Sequence, residues 1–261
     1  GDININGIPY EIADAVMFTN YFITGMAAFG DHGDASVAAS DANRDGLALS
    51  VSDLVYVIRV VVGDAQPYGK GTPMAVVPVD YSIVDGVVAV SDGIDLGGAA
   101  LIVRGEVTPQ LLAPDMAMTY AFDGEMTRVV VTPPVEATSL HTFRGAFLGG
   151  ISGEVVSLEL ATAEGAPVAA KNVPSRYELS QNYPNPFNPS TKINVTLKDA
   201  GDYSLTIYNV QGQVVEVVRG SVAGPERLEI TWDASGLASG VYLYRLDAGQ
   251  FTQTKKMLLL K

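Results

Sequence analysis

The sequence contains one loop pattern twice. Asp2-x-Asn4-x-Asn6-Gly7 returns as Asp41-x-Asn43-x-Asp45-Gly46, with every position displaced by thirty-nine residues. Oxygen-bearing side chains at alternate positions of a tight loop converge on one point, and a glycine after the third lets the backbone turn sharply. A calcium loop adds a main-chain carbonyl from the seventh position and a closing carboxylate at the start of the next helix. Ile8 and Leu47 stand at the seventh position, and Asp14 and Asp53 supply the carboxylates. Clusters of Asp, Asn and Gly also make ordinary turns. One copy could be read that way; two copies, each leading into an apolar helix, favour a cation loop. Two Ca²⁺ sites are therefore expected, one held by Asp2, Asn4, Asn6, Ile8 and Asp14, the other by Asp41, Asn43, Asp45, Leu47 and Asp53. With three carboxylates against two, the second site should be the tighter.

The closing Asp falls at position thirteen in both copies, one later than a twelve-residue loop requires. A shift shared by both copies reads as a one-residue bulge, with Glu11 a nearby substitute in the first loop. After each loop, apolar residues recur at near-helical spacing: Ile12, Val16 and Ile23 with Tyr21 and Phe22, then Leu54, Val55, Ile58, Val61 and Val62. This duplicated loop–helix layout, with Asp as the closing residue, resembles the dockerin module of cellulosome-type assemblies. The resemblance implies calcium binding and a protein receptor.

The break "QPYGKGTP" (Gln66–Pro73) ends the helical text. Beyond it, "VVPVDYSI", "GVVAV", "AALIVRG", "MAMTYAF", "TRVVVT", "FRGAFL" and "EVVSLELA" alternate with turn residues, the pattern of an antiparallel sandwich. The layout of "LGGAALIVRG", "YAFDGEMTRVVVT" and "GGISGEVVSLELA" resembles a cohesin, the receptor of dockerins. A second break, "EGAPVAAKNVPSR", leads to further strands. There, "YELSQNYPNPFNPSTKINVTL", "YSLTIYNVQGQVV", "WDASGLASGVYLYRL" and "KKMLLLK" resemble the C-terminal sorting domain of the type nine secretion system over 177–261. That resemblance implies export across an outer membrane. Pro184, Pro186 and Pro189 fix an extended lead-in, "NVQG" (Asn209–Gly212) reads as a hairpin turn, and Trp232, Tyr242 and Tyr244 read as core aromatics.

The expected fold class is multidomain and mainly β. It comprises a small α-helical dockerin-like calcium module over 1–66, a cohesin-like antiparallel sandwich over 74–172 and an Ig-like sandwich over 177–261. A formal charge of −13 and a pI near 4.4 argue against nucleic acid and anionic membranes as partners. The absence of Cys excludes disulfides, thiolate metal sites and cysteine nucleophiles. The longest apolar runs are too short to span a bilayer. No signal peptide precedes Gly1, so a secreted form would be a processed one, and an opening one residue before a ligand suggests a longer precursor.

Catalytic constellations are sparse. His32 lies in the "GDHGD" linker and His141 beside Leu140 in a β region, neither with a nucleophile in its motif. The carboxylate pairs Asp92/Asp95 and Asp123/Glu125 sit in turn-like text, as does "GGISGE" (Gly149–Glu154). The expectation is a secreted, non-enzymatic assembly protein with a protein partner, including further copies of itself joined head to tail into a filament. A linker of about seven residues makes folding back onto its own sandwich awkward. The alternative is the anchoring and sorting region of a larger secreted hydrolase or surface protein.

Overall fold

The computed structural model describes residues 1–67, 74–91 and 93–261. Most of the "QPYGKGTP" break and Asp92 of the Asp92/Asp95 pair lie outside the described residues. The chain divides into two compact units, Gly1–Asn172 and Val173–Lys261.

The first unit opens with α1 (Ile12–Thr24), a 3-10 segment (Gly25–His32), α2 (Gly33–Ser40) and α3 (Val51–Val61). The "GDHGD" stretch is therefore helical rather than a linker, and His32 ends the 3-10 segment. Ile12–Ser40 is long and apolar enough, by length and composition, to cross a bilayer. Gly25 and Gly30, at φ 64° and 53°, break it into three pieces. Ser50 caps α3: its Oγ accepts from Asp53 N at 3.2 Å, while Asp53 Oδ2 accepts from Ser50 N at 3.2 Å, a reciprocal capping box. Leu54 and Ile58 then pack against Ile3, Phe18 and Phe29 in a core that Val130 from the following sheet also joins.

Among the described residues nine strands follow: β1 (Val77–Val84), β2 (Val87–Val90), β3 (Leu96–Arg104), β4 (Gln110–Leu111), β5 (Ala117–Phe122), β6 (Met126–Thr132), β7 (Ala146–Gly149), β8 (Val155–Thr162) and β9 (Val168–Asn172). They form two sheets, β4-β7-β2-β1-β9 and β5-β6-β3-β8. Leu101, Val103, Val129, Val131 and Leu160 face Val88, Phe147 and Leu148 across the interior. Two features depart from the sequence reading. β9 falls within the "EGAPVAAKNVPSR" break, and it pairs parallel to β1, Val77–Tyr81 against Val168–Asn172, so the sheet is mixed. The "GGISGE" stretch, read as a turn, ends β7 at Gly149 and runs as an irregular connection to β8. A Cβ on Gly150 would sit 2.3 Å from Thr108 O, and one on Gly153 would sit 2.2 Å from Arg104 O.

The helical layer lies on the outer face of the second sheet of the same chain, α1 over β5 and β6, α3 over β3 and β8. Folding back is thus what the chain does, contrary to the expectation from the linker. Val51 and Val55 of α3 cluster with Ala161, Ala100 and Phe22, and Val130 of β6 joins the core formed by the helices. This packing also corrects the reading of α1. Val51 and Val55 are 1% and 0% exposed, yet their repeat counterparts Ile12 and Val16 are 48% and 45% exposed. Both helices lie on the same sheet, but α3 turns these positions onto it while α1 leaves them largely exposed.

The second unit has seven strands, β10 (Glu178–Leu179), β11 (Ser190–Leu197), β12 (Gly201–Tyr208), β13 (Val214–Val222), β14 (Glu226–Asp233), β15 (Gly240–Ala248) and β16 (Phe251–Leu259). They build sheets β10-β11-β14 and β13-β12-β15-β16. Trp232, Tyr242 and Tyr244 are in the core as read from sequence. Trp232 donates Nε1–H to Glu216 Oε2 at 2.7 Å and meets the Tyr242 ring edge-on at 5.7 Å. Asn209–Gly212 is the β12–β13 turn, closed by Gly212 N to Asn209 O at 3.0 Å. In the proline lead-in, Phe187 is buried while Pro184, Pro186 and Pro189 are exposed.

Candidate metal centre

Both loops fold alike, atom for atom. Asn4 N donates to Asp14 Oδ1 at 3.0 Å, and Asn43 N to Asp53 Oδ1 at 3.3 Å. Ile8 N donates to Asn6 Oδ1 and Leu47 N to Asp45 Oδ1, both at 2.8 Å. Gly7 N reaches Asp2 Oδ2 at 3.0 Å, and Gly46 N reaches Asp41 Oδ1 at 3.4 Å. Gly7 and Gly46 turn at φ 93° and 89°. The seventh-position residues Ile8 and Leu47 extend their side chains into solvent.

The thirteenth-position Asp now has a physical account. Tyr10 and Leu49, the ninth residues of the loops, adopt φ 59° and 63°. Each left-handed residue stands just before the helix N-cap, Glu11 or Ser50, and absorbs the extra residue. The closing Asp is thereby returned to the third position of its helix. Asp14 Oδ2 accepts from Glu11 N at 3.0 Å, as Asp53 Oδ2 does from Ser50 N. The left-handed residues also pack: Tyr10 meets Tyr56 edge-on at 6.5 Å.

The loops differ in their acids. In the second, Asp41, Asp45 and Asp53 each offer an oxygen within 4.8 Å of the other two. That is the largest separation two ligands can have around an ion they both touch at about 2.4 Å. Asp53 is fully buried. Burial pushes its carboxyl up to about 7, against hydrogen bonds from Ser50 and Asn43 that pull it down, and Asp45's charge adds to the rise. Three converging carboxylates, one of them desolvated, with amide oxygens and no soft donor, match a hard divalent cation such as Ca²⁺. The first loop brings only Asp2 and Asp14 into the corresponding positions. Its Asn4 and Asn6 side-chain amides both turn to Glu11 Oε1, the former at 2.9 Å. Glu11 thus stands beside the loop where the sequence places a substitute.

Sequence reasoning missed the contacts that tie the second loop to the sandwich. Asn43 Nδ2 donates to Gly165 O at 3.2 Å and to Asp45 Oδ2 at 3.0 Å. Arg59 Nη1 donates to Glu164 O at 2.6 Å while its Nε pairs with Asp64 at 2.7 Å. A paired glycine inside an apolar strand, Gly97–Gly98, was the available signal, because such glycines mark a close approach.

The other candidate acids are engaged elsewhere. Asp95 makes a two-pronged ion pair with Arg144, Asp123 lies 3.5 Å from Arg128, and Glu125 lies 3.6 Å from Arg104.

Residues 181–260 match the family described as the secretion system C-terminal sorting domain. The protein is accordingly a secreted or cell-surface protein, and its last unit carries the sorting domain. No curated protein matches the chain. Among solved structures, a β-glucuronidase of Parabacteroides merdae is 12% identical at a TM-score of 0.22, over 62% of this chain and 25% of that one. A putative β-galactosidase of Bacteroides fragilis is 15% identical at 0.20, over 61% and 30%. A chimeric titin Z1Z2 tandem is 15% identical at 0.19, over 70% and 95%. The chain therefore spans about a quarter of the glucuronidase's length, and likenesses this slight carry no weight for fold or function.

Proposed function

We propose that the chain is the non-catalytic C-terminal region of a larger secreted or surface protein. Its last unit is the export address, and its first unit is a calcium-stiffened module that holds and spaces what it carries. The observation that carries this reading is the sorting-domain match, which is confined to residues 181–260 and so accounts for one unit only. In the first unit, the residues that would hold Ca²⁺ are Asp41, Asn43, Asp45, Leu47 and Asp53, and, with fewer charges, Asp2, Asn4, Asn6, Ile8 and Asp14. Bound calcium would supply the positive charge that the converging carboxylates lack. Asp53 then links loop to helix by capping α3, and Asn43 links loop to sandwich through Gly165.

The test is a reporter protein fused ahead of residues 173–261 in a bacterium with a type nine secretion system. Reporter in the medium or on the cell surface is expected. Retention in the periplasm of an otherwise folded fusion would refute the export role.

A second reading, an assembly protein joined through dockerin- and cohesin-like contacts, is favoured by one observation. It is that the helical layer sits on a sheet face of the sandwich, a helix-on-sheet contact of the kind this reading calls for.

A further inference from the structure

We propose that the second calcium loop and the β8–β9 turn of the sandwich form one coupled element, joined by the side-chain amide of Asn43. A cation in that loop stiffens the turn, and the turn in return raises the loop's affinity for the cation. The proposal rests on the calcium reading of the loops and adds to it the part of the fold that calcium controls.

Asn43 is 5% exposed, and its amide serves two sides at once. Its oxygen stays within the loop, accepting from Asp45 N at 2.9 Å. Its nitrogen donates to Gly165 O in the turn at 3.2 Å and to Asp45 Oδ2 at 3.0 Å. Turned over, the amide would set oxygen against the Gly165 carbonyl and nitrogen against the Asp45 N–H, so the network permits one orientation. The oxygen is also the atom that a ligand at this loop position offers to a hard cation. An amide is rigid and planar, so fixing its oxygen in the loop fixes its donor on Gly165.

The turn is shaped to receive this contact. Gly165 N donates to Thr162 O at 3.0 Å and Ala166 N to Thr162 Oγ1 at 3.1 Å. Gly165 adopts φ 83°, and a Cβ on it would lie 3.3 Å from Ser52 O. A residue without a Cβ is what lets the turn come this close to the start of α3. The preceding carbonyl, Glu164 O, accepts from Arg59 Nη1 in the last turn of α3 at 2.6 Å. Two successive carbonyls of one turn are thus held from the two ends of one helix.

What the turn carries is the crossing between sheets. β8 lies in the sheet under the helices, whereas β9 lies in the other sheet beside β1. Just past the turn, Pro167 O accepts from Val77 N at 3.0 Å. Loosening the turn therefore loosens the edge along which the two sheets are joined.

The first loop has no such connection. Asn4 stands at the position equivalent to Asn43, but its Nδ2 donates to Glu11 Oε1 at 2.9 Å, inside its own repeat. The two loops thus differ in what they hold as well as in charge. Coupling of this kind is reciprocal: the factor by which calcium favours the closed turn is the factor by which the closed turn favours calcium.

The test is hydrogen exchange of the full chain, with calcium alone as the probe and calorimetry on the same samples. Calcium should slow the Gly165 and Ala166 amides by about two- to tenfold, the net contribution of one hydrogen bond. That slowing should exceed any at the Ile151 amide, which donates to Gly86 O elsewhere in the sandwich. Asp41→Ala/Asp45→Ala should abolish the response of the turn while calcium still binds the first loop. Asn43→Asp, which sets an oxygen where the donor stood, should abolish it too. In the reverse direction, Gly165→Ala, which pushes the turn off α3, should weaken calcium binding at the second loop by a similar factor and not at the first. Heat without selective slowing, equal slowing at Ile151, or slowing that persists in Asn43→Asp would overturn the coupling and leave the loops as calcium sites. A titration without heat would overturn both. The comparison of turn and Ile151 amides in unmodified protein decides by itself should a variant fail to fold.

Discussion

Val55 of α3 sits where a side chain on Gly98 of β3 would have to be: the nearest methyl, Cγ2, is 2.7 Å from the Cβ position. Real Cβ atoms do not tolerate that distance, so the helical layer and the sheet are matched at this pair.

The match gives a direct prediction. Gly98→Ala should destabilise the first unit by about 1–3 kcal/mol, the usual cost of overfilling a packed contact. Val55→Ala should also destabilise it, by loss of a fully buried side chain. Combined, they should cost less than their sum, with a coupling of about 0.5–3 kcal/mol. Hydrogen exchange at α3 amides, together with thermal unfolding, measures this. Strict additivity would show that the two residues do not share the contact.

The loops predict calorimetric behaviour. Calcium titration should show two binding events, and Asp41→Ala/Asp45→Ala should remove the tighter one while leaving the other. At calcium a thousandfold above its dissociation constant, each site would stabilise the folded state by about 4 kcal/mol. A titration without heat, or a double variant that binds like the parent, would refute the assignment.

Much of this was legible in sequence, and the division is physical. The loops are local: their oxygen-bearing side chains lie within thirteen residues, and the repeat announces them. Strand text and the aromatic core of the last unit are equally local patterns. The seam is not. Asn43 and Gly165 are 122 residues apart, and Arg59 and Glu164 are 105 apart. A periodicity argument also cannot tell Ile12 and Val16 from Val51 and Val55, which occupy equivalent repeat positions. Only the way each helix is turned on the sheet separates them.

Glu159 predicts a pH dependence. Its side chain is exposed, but partial desolvation beside the helical layer raises its carboxyl above the ordinary value of 4.5, and a hydrogen bond from Val51 N opposes the rise. A carboxyl raised in the folded state binds its proton more readily there than when unfolded. The folded state therefore loses stability as pH climbs from the unfolded pKa through the folded one, and is spared that loss below both. Glu159→Gln should flatten this slope and leave the protein slightly more stable at neutral pH. A slope unchanged in thermal melts between pH 4 and 7 would assign it to other groups.

Limited proteolysis should cut the chain at 173–176. The sequence alone suggests a wider window, Gly165–Arg176, but β9 is hydrogen-bonded to β1 through Asn172 and Gly165 is held by Asn43. Cleavage within 165–172, or rapid digestion inside β12, would contradict the two-unit division.

In the last unit a single hydroxyl serves two backbone groups. Tyr244, fully buried, donates to Ser180 O at 2.9 Å and accepts from Asn182 N at 2.9 Å. Asn182 in turn donates Nδ2–H to Pro184 O at 2.9 Å and to Thr191 Oγ1 at 3.0 Å, so the hydroxyl anchors the proline lead-in to β15. Tyr244→Phe keeps the ring and its packing but leaves a buried donor and a part-buried acceptor without their partner, at about 1–3 kcal/mol. Asn182→Ala should loosen the same lead-in, and the double variant should cost less than the sum because both act on one network. Chemical denaturation of the full chain, followed by Trp232 fluorescence, reads the last unit alone, since Trp232 is the chain's one tryptophan. An unchanged midpoint in Tyr244→Phe would mean that water or a relaxed backbone replaces the hydroxyl, and that the lead-in is held by Phe187 beneath Trp232, their ring centroids 5.6 Å apart.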